Sequence, residues 1–169
     1  MATPFFTAFT GIGLAIARMN KNLLIKIVAG PIGYVFAVFT HAFHNSFGSM
    51  IGGLTGFALG SLADWFGWTV MAIFVIFMIG RERGLLQKQL TEEVTSGLIS
   101  ATQYRKALSP LTMSTAFFTG GRAASRFYQV CGELAHKKDQ LFRLGDEGGN
   151  TAIIHSLRSE LATLAPRVR

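Results

Sequence analysis

Three side chains at the end of an apolar run carry the first chemical signal in this sequence. In Thr40-His41-Ala42-Phe43-His44-Asn45, Asn45 stands four residues after His41 and His44 stands three after it. On a helix all three project near one face. An imidazole beside a carboxamide can hold a water, orient a partner or stabilise an oxyanion, which makes His41, His44 and Asn45 the candidate catalytic residues. The same residues can equally cap a helix end at a membrane interface, with their nitrogens in water. A metal is not expected from them alone, because two histidines give at most two ligands and no nearby Glu, Asp or Cys adds a third. A histidine inside or at the edge of a bilayer is costly unless it is paired or used.

The surroundings point to such a bilayer. Of 169 residues, 50% are hydrophobic and only 15% charged, with 19 glycines and a mean hydropathy of +0.38. Soluble domains carry about 25% charge. The deficit lies in the first half, where Arg18, Lys21, Lys26 and Asp64 are the only charged side chains among residues 1–80. Eighty nearly uncharged residues leave no polar surface for water, which excludes a soluble single domain. Their hydrophobicity excludes disorder. The expected organisation is a transmembrane helical region over residues 1–80 and a helical tail over 81–169.

The net charge of +7 falls mostly in the tail. Its basic residues are scattered and accompany no nucleic-acid motif, so attraction to anionic headgroups is the expected role and nucleic acid is not an expected partner. The lone Cys131 can form no internal disulfide, and no Cys/His cluster indicates zinc. No basic n-region precedes the first apolar run, so no secretory leader is expected.

A span needs about 20 mostly apolar residues. Pro4 to Ala17 is shorter than that and reads as a helix packed inside a bundle. Ile27 to Asn45 is long enough, and Leu54 to Ile79 is followed at once by Arg81, Glu82 and Arg83. Three spans place the basic groups at 18–26 and 81–83 on one side and the uncharged loop Ser46 to Gly53 on the other, as the positive-inside bias requires. The fold class expected is therefore all-α: an integral membrane bundle of about three transmembrane helices with a C-terminal cytoplasmic helical tail. Asp64, flanked by Trp65 and Trp68, is expected where the third helix is interrupted or faces the bundle interior.

Gly48, Gly52, Gly56 and Gly60 recur every fourth residue and are expected on one helix face, open to close approach by another membrane helix, either within the bundle or from a partner. In the tail, Leu86, Leu90 and Val94 have helical spacing, and Gly97 is a plausible stop. Ser100 to Gln103 fits a capping box. Thr112 to Gly121 reads as a loop or a loosely ordered apolar link. Phe127, Cys131, Leu134 and Leu141 share a face of a helix ending at Gly145, and Ile154, Leu157, Leu161 and Leu164 form a stripe suited to a helical hairpin.

The His41-x-x-x-Asn45 pattern resembles the HxxxN motif of the PrsW-type intramembrane peptidases, relatives of the CAAX-processing membrane endopeptidases. Pro4-Phe5-Phe6-Thr7-Ala8-Phe9-Thr10-Gly11-Ile12-Gly13 is similar to that family's HP-x-F-T-x-x-T-G-I-G segment. Asp64-Trp65 and the exit Arg81-Glu82-Arg83 resemble its last span, and Glu92-Glu93-Val94 and Glu133-Leu134-Ala135 resemble its tail. The resemblance covers nearly the whole chain but only the C-terminal part of a full-length member. It implies hydrolysis of a peptide bond in or beside a bacterial plasma membrane, with the tail in the cytoplasm.

In that family paired glutamates activate water and histidines of two later motifs complete the site. The resemblance places the glutamates upstream of this chain and one motif histidine at position 3, where Thr3 stands. No cofactor is expected, and a divalent metal at His41 would require upstream ligands. Two readings follow: a peptidase-family chain with incomplete catalytic machinery, or a non-enzymatic accessory subunit of a larger membrane complex.

Overall fold

The computed structural model describes residues 3–168, and the surroundings of Thr3 and Gly48, two positions singled out above, lie outside the described residues. Helix follows helix along the chain: α1 (Thr3–Arg18), α2 (Leu23–Ile51), α3 (Gly53–Thr95), α4 (Ala101–Ala107), α5 (Pro110–Leu144) and α6 (Asn150–Leu164), closed by a 3-10 turn at Ala165–Arg167. No strand occurs among the described residues. The chain divides into two compact units, Met1–Ile76 and Phe77–Arg169.

In the first unit, α2 and α3 are each long and apolar enough to cross a membrane, and only 6% of either apolar window is buried within the chain itself. A core helix of a soluble protein would be covered. Here Leu54, Phe57, Trp65 and Phe66 lie exposed along α3, and Tyr34, Val35 and Phe39 along α2, a surface suited to lipid. At 16 residues, α1 is about 24 Å long, short of the roughly 30 Å hydrocarbon core.

Two glycines fasten α1 to α2. A Cβ placed on Gly13 would lie 3.2 Å from the Cα of Gly33, and one on Gly33 would lie 2.5 Å from the carbonyl oxygen of Phe9. Backbone meets backbone there, the close approach that small residues permit between membrane helices. The glycine face expected over residues 48–60 is not one face. Its helix ends at Ile51 and the next begins at Gly53, with Gly52 and Gly53 at φ +68° and +56°. Two adjacent glycines in the left-handed region reverse the chain in a turn that residues bearing a Cβ rarely enter. Gly48 therefore belongs to α2, Gly52 to the turn, and Gly56 and Gly60 to α3.

Nor is α3 interrupted, at Asp64 or at the polar boundary near Arg81. The residues after Gly84, rich in Leu, Gln, Lys and Glu, are good helix formers, so the backbone continues while its surroundings change.

The second unit packs Leu86 and Leu90 of α3 around Phe127, Cys131 and Leu134 of α5 and Leu157 and Leu161 of α6. Ser100 and Gln103 form the capping box that starts α4. The Gln103 amide then donates to the carbonyls of Ala165 and Val168, at 2.7 and 2.6 Å, which ties down the C-terminal turn. The loop expected over 112–121 is helical. Ser114, Thr115 and Thr119 each donate to the carbonyl four residues back, and α5 breaks its helical backbone only at Gly121, at φ 67°. Arg126 forks onto both oxygens of Glu160 at 2.7 and 2.8 Å, joining α5 to α6 and holding the Glu160 carboxyl below its ordinary range.

Candidate functional site

The polar residues of the first unit gather where the last turns of α2 meet the first turns of α3 across the Gly52 turn. His44 Nε2 stands 3.1 Å from Asp64 Oδ1, with the two side chains 20% and 30% exposed. This is ion-pair distance. The ring is not turned to aim an N–H along the contact, however, and neither His44 nitrogen makes a well-angled hydrogen bond to the protein although both are buried. An imidazole held beside a carboxylate with its other nitrogen unused can accept a proton or hold a water.

Asp64 corrects the expectation that no acid supplements the histidines. Twenty residues, between five and six turns of helix at about 3.6 residues per turn, separate His44 from Asp64, and only the reversal at Gly52–Gly53 brings them together. Sequence spacing within α2 carries no trace of it.

His44, Asn45, Gly56, Gly60, Ser61 and Asp64 line a cavity of about 310 Å³. Buried Gly56 and part-buried Gly60 present no side chain to fill it. Ser61 and Asp64 also border a second space of about 390 Å³ with Trp65 and Trp68. Asn45 thus shares a site with His44, and its carboxamide is a neutral donor and acceptor beside the His44–Asp64 contact.

His41 is placed differently. Its ring stacks on Phe6 with centroids 5.0 Å apart and planes 17° apart, while His44 meets the same Phe6 edge-on at 5.5 Å. Phe6, 7% exposed, is the residue that orients both imidazoles, and in the sequence only its place in the Pro4 to Gly13 segment marks it. His41 does not line the cavity holding His44 and Asn45. One helix face has been divided between an aromatic stack and a polar pocket.

Among the described residues, no group of three or more His, Cys, Asp and Glu side chains comes close enough to hold a metal ion. His44 and Asp64 would be two ligands of such a set, and further ligands would have to come from elsewhere.

The adjacent acids Glu92 and Glu93 belong to the second unit and are engaged there. Glu93, 1% exposed, accepts from Lys138 at 2.9 Å and from Arg158 at 2.8 Å, and Glu92 accepts from Lys138 at 2.7 Å. A buried carboxylate neutralised by two cations is a structural fastening. Cys131 is equally committed to the core. Burial, reinforced by the charge of Glu93, pushes its thiol up to about 12, so it carries almost no thiolate at neutral pH.

Comparison of the chain with family models, with curated proteins and with solved structures returns no match.

Proposed function

We propose that this chain is an integral membrane protein built around a His44–Asp64 polar centre, and that it resembles the C-terminal part of a PrsW-type intramembrane peptidase lacking a complete catalytic set. The observation that carries this reading is the 3.1 Å approach of His44 to Asp64 between two helices whose outer surfaces are apolar. Ionisable residues at membrane depth are costly and are kept where they pair or act.

An imidazole backed by a carboxylate is the proton-accepting half of a hydrolytic site. The paired glutamates and second histidine of the family's machinery have no counterpart beside it among the described residues. Asn45 and Ser61 are the neutral polar groups within reach, and they can orient a water or a carbonyl without deprotonating it.

Charge supports the finer topology. With Lys21, Lys26, Arg81 and Arg83 all on the cytoplasmic side, His44 lies about 27 Å along α2 from Lys26 and Asp64 about 26 Å along α3 from Arg81. The two then meet at one depth, near the outer edge of the bilayer, with α1 as a short third span and the tail in the cytoplasm of a bacterial cell.

The second reading, a non-enzymatic accessory subunit, draws support from His41, whose stacking on Phe6 uses it as packing. Gly52 and Gly60 leave open space where a side chain would stand, room for a partner helix to approach.

The full chain in liposomes, offered a panel of membrane-anchored peptides, separates these readings from an intact enzyme. We expect no cleavage. Cleavage that disappears in the His41→Ala or His44→Ala variant would show that the catalytic set is complete.

A further inference from the structure

The second unit holds a cavity that neither the fold nor the reading above uses. It measures about 540 Å³ and lies between α4, the first half of α5 and the C-terminal turn, a size suited to a small organic ligand. From the geometry we infer that this cavity binds an anionic phosphate ester.

Its charge is one-sided. Lys106 of α4 and Arg167 of the C-terminal turn line it, and no carboxylate does so among the described residues. Arg167 makes no ion pair to any described residue, so nothing described offsets its guanidinium. Arg126, Arg143 and Arg158 of α5 and α6, by contrast, are paired with acids.

The neutral donors add a second, independent observation. Tyr128 lines the cavity and is only 3% exposed, yet its hydroxyl has no hydrogen-bond partner among the described residues. The hydroxyl is not among the buried, unsatisfied polar atoms, so it is open to water or to a ligand in the space. Thr115 and Thr119 donate to carbonyls of their own helix and offer only lone pairs to the space. Thr112, whose side chain makes no such bond, is the other free neutral donor on the wall.

Residues from three separate elements therefore border one space: Arg167, Lys106, Tyr128 and Thr112. A planar carboxylate is matched by a single fork, whereas a tetrahedral phosphate accepts from several directions at once, and arginine is the preferred side chain for it. The volume exceeds what one phosphate fills, leaving room for the alcohol to which it is esterified. A lipid headgroup and a soluble phosphate ester share this chemistry.

The test uses the full chain in detergent micelles. Native mass spectrometry counts bound phosphatidylglycerol against phosphatidylcholine, and sn-glycerol 3-phosphate is added as a soluble competitor. Phosphatidylglycerol should bind in preference. Arg167→Gln should weaken binding about tenfold, the scale of one charge-assisted pair, and Tyr128→Phe should weaken it by a smaller factor without shifting the thermal midpoint. Lys88→Gln, which removes a cation outside the cavity, should leave it unchanged. Competition by glycerol 3-phosphate identifies the ester itself as the ligand, and lack of competition identifies the lipid-borne headgroup. Equal binding of the two lipids, or equal losses in Arg167→Gln and Lys88→Gln, would overturn the site and leave only general attraction to a basic chain.

Discussion

His44 on α2 and Asp64 on α3 approach to 3.1 Å because the chain reverses at Gly52 and Gly53, both with positive φ. The polar centre of the first unit thus depends on a turn that contains none of its residues. A side chain at either glycine would strain the turn, and moving the turn by one residue would rotate Asp64 away from His44.

Close packing of α1 on α2 is the first testable consequence. Gly33→Leu should destabilise the protein by about 1–3 kcal/mol, the usual cost of overpacking, because its Cβ would already collide with the Phe9 carbonyl. Gly11, with nothing within 4 Å of its would-be Cβ, should accept alanine. Thermal unfolding of both variants in detergent decides the matter, and equal midpoints would contradict the packing described.

A buried charge cluster fastens the second unit. Glu93→Gln leaves Lys138 and Arg158 facing a neutral amide in a site where the wild-type carboxylate is 1% exposed. The expected loss is about 3 kcal/mol, near the lower bound for breaking a buried pair. Chemical denaturation followed by circular dichroism measures it. A variant as stable as the parent would mean that desolvation of Glu93 cancels its ion pairs.

These two units were unevenly legible in the sequence. The start at Ser100 and Gln103, the stop at Gly97 and the stripe of Ile154, Leu157 and Leu161 are local signals, and each appears in place. Residues 112–121 read as a loop or loose link because Thr and Gly have low helix propensity, but hydroxyls bonded to the preceding turn and a buried Ala116 keep the segment helical up to the break at Gly121. The four-residue glycine repeat was misread for a different reason: periodicity is blind to a turn, and the informative feature was the adjacent pair Gly52-Gly53. The meeting of His44 with Asp64 is a tertiary pairing, which no spacing within one helix encodes.

Cys131 makes stability sensitive to alkaline pH. Its thiol is raised from an ordinary value near 8.5 to about 12 in the fold. Below the ordinary value both states are protonated and the contribution is fully present. As pH climbs from there toward about 12, only the unfolded thiol ionises, so stability falls. Between pH 7 and pH 10 the wild type should lose roughly 2 kcal/mol more than Cys131→Ala. Parallel pH profiles of the two proteins would refute the burial of this thiol.

The same burial makes topology measurable by labelling. Cys131 should not react with a maleimide in the folded protein at neutral pH, so a cysteine at Ser49, which is exposed on the last turn of α2, becomes the only target. A membrane-impermeant reagent should label Ser49→Cys from outside intact cells. Labelling only after the membrane is breached would reverse the proposed orientation.

The pairing of His44 with Asp64 within the bilayer is tested most directly by a double-mutant cycle. His44→Leu, Asp64→Leu and the double variant are reconstituted in nanodiscs, and their unfolding free energies are compared with that of the parent. If the two side chains form one polar centre, each single variant strands its partner, and the double variant costs less than the two single losses combined. The coupling expected for a polar pair between membrane helices is about 0.5–1.5 kcal/mol. Additive losses, with no coupling, would mean that the two groups do not interact in the membrane and would remove the centre on which the proposed function rests.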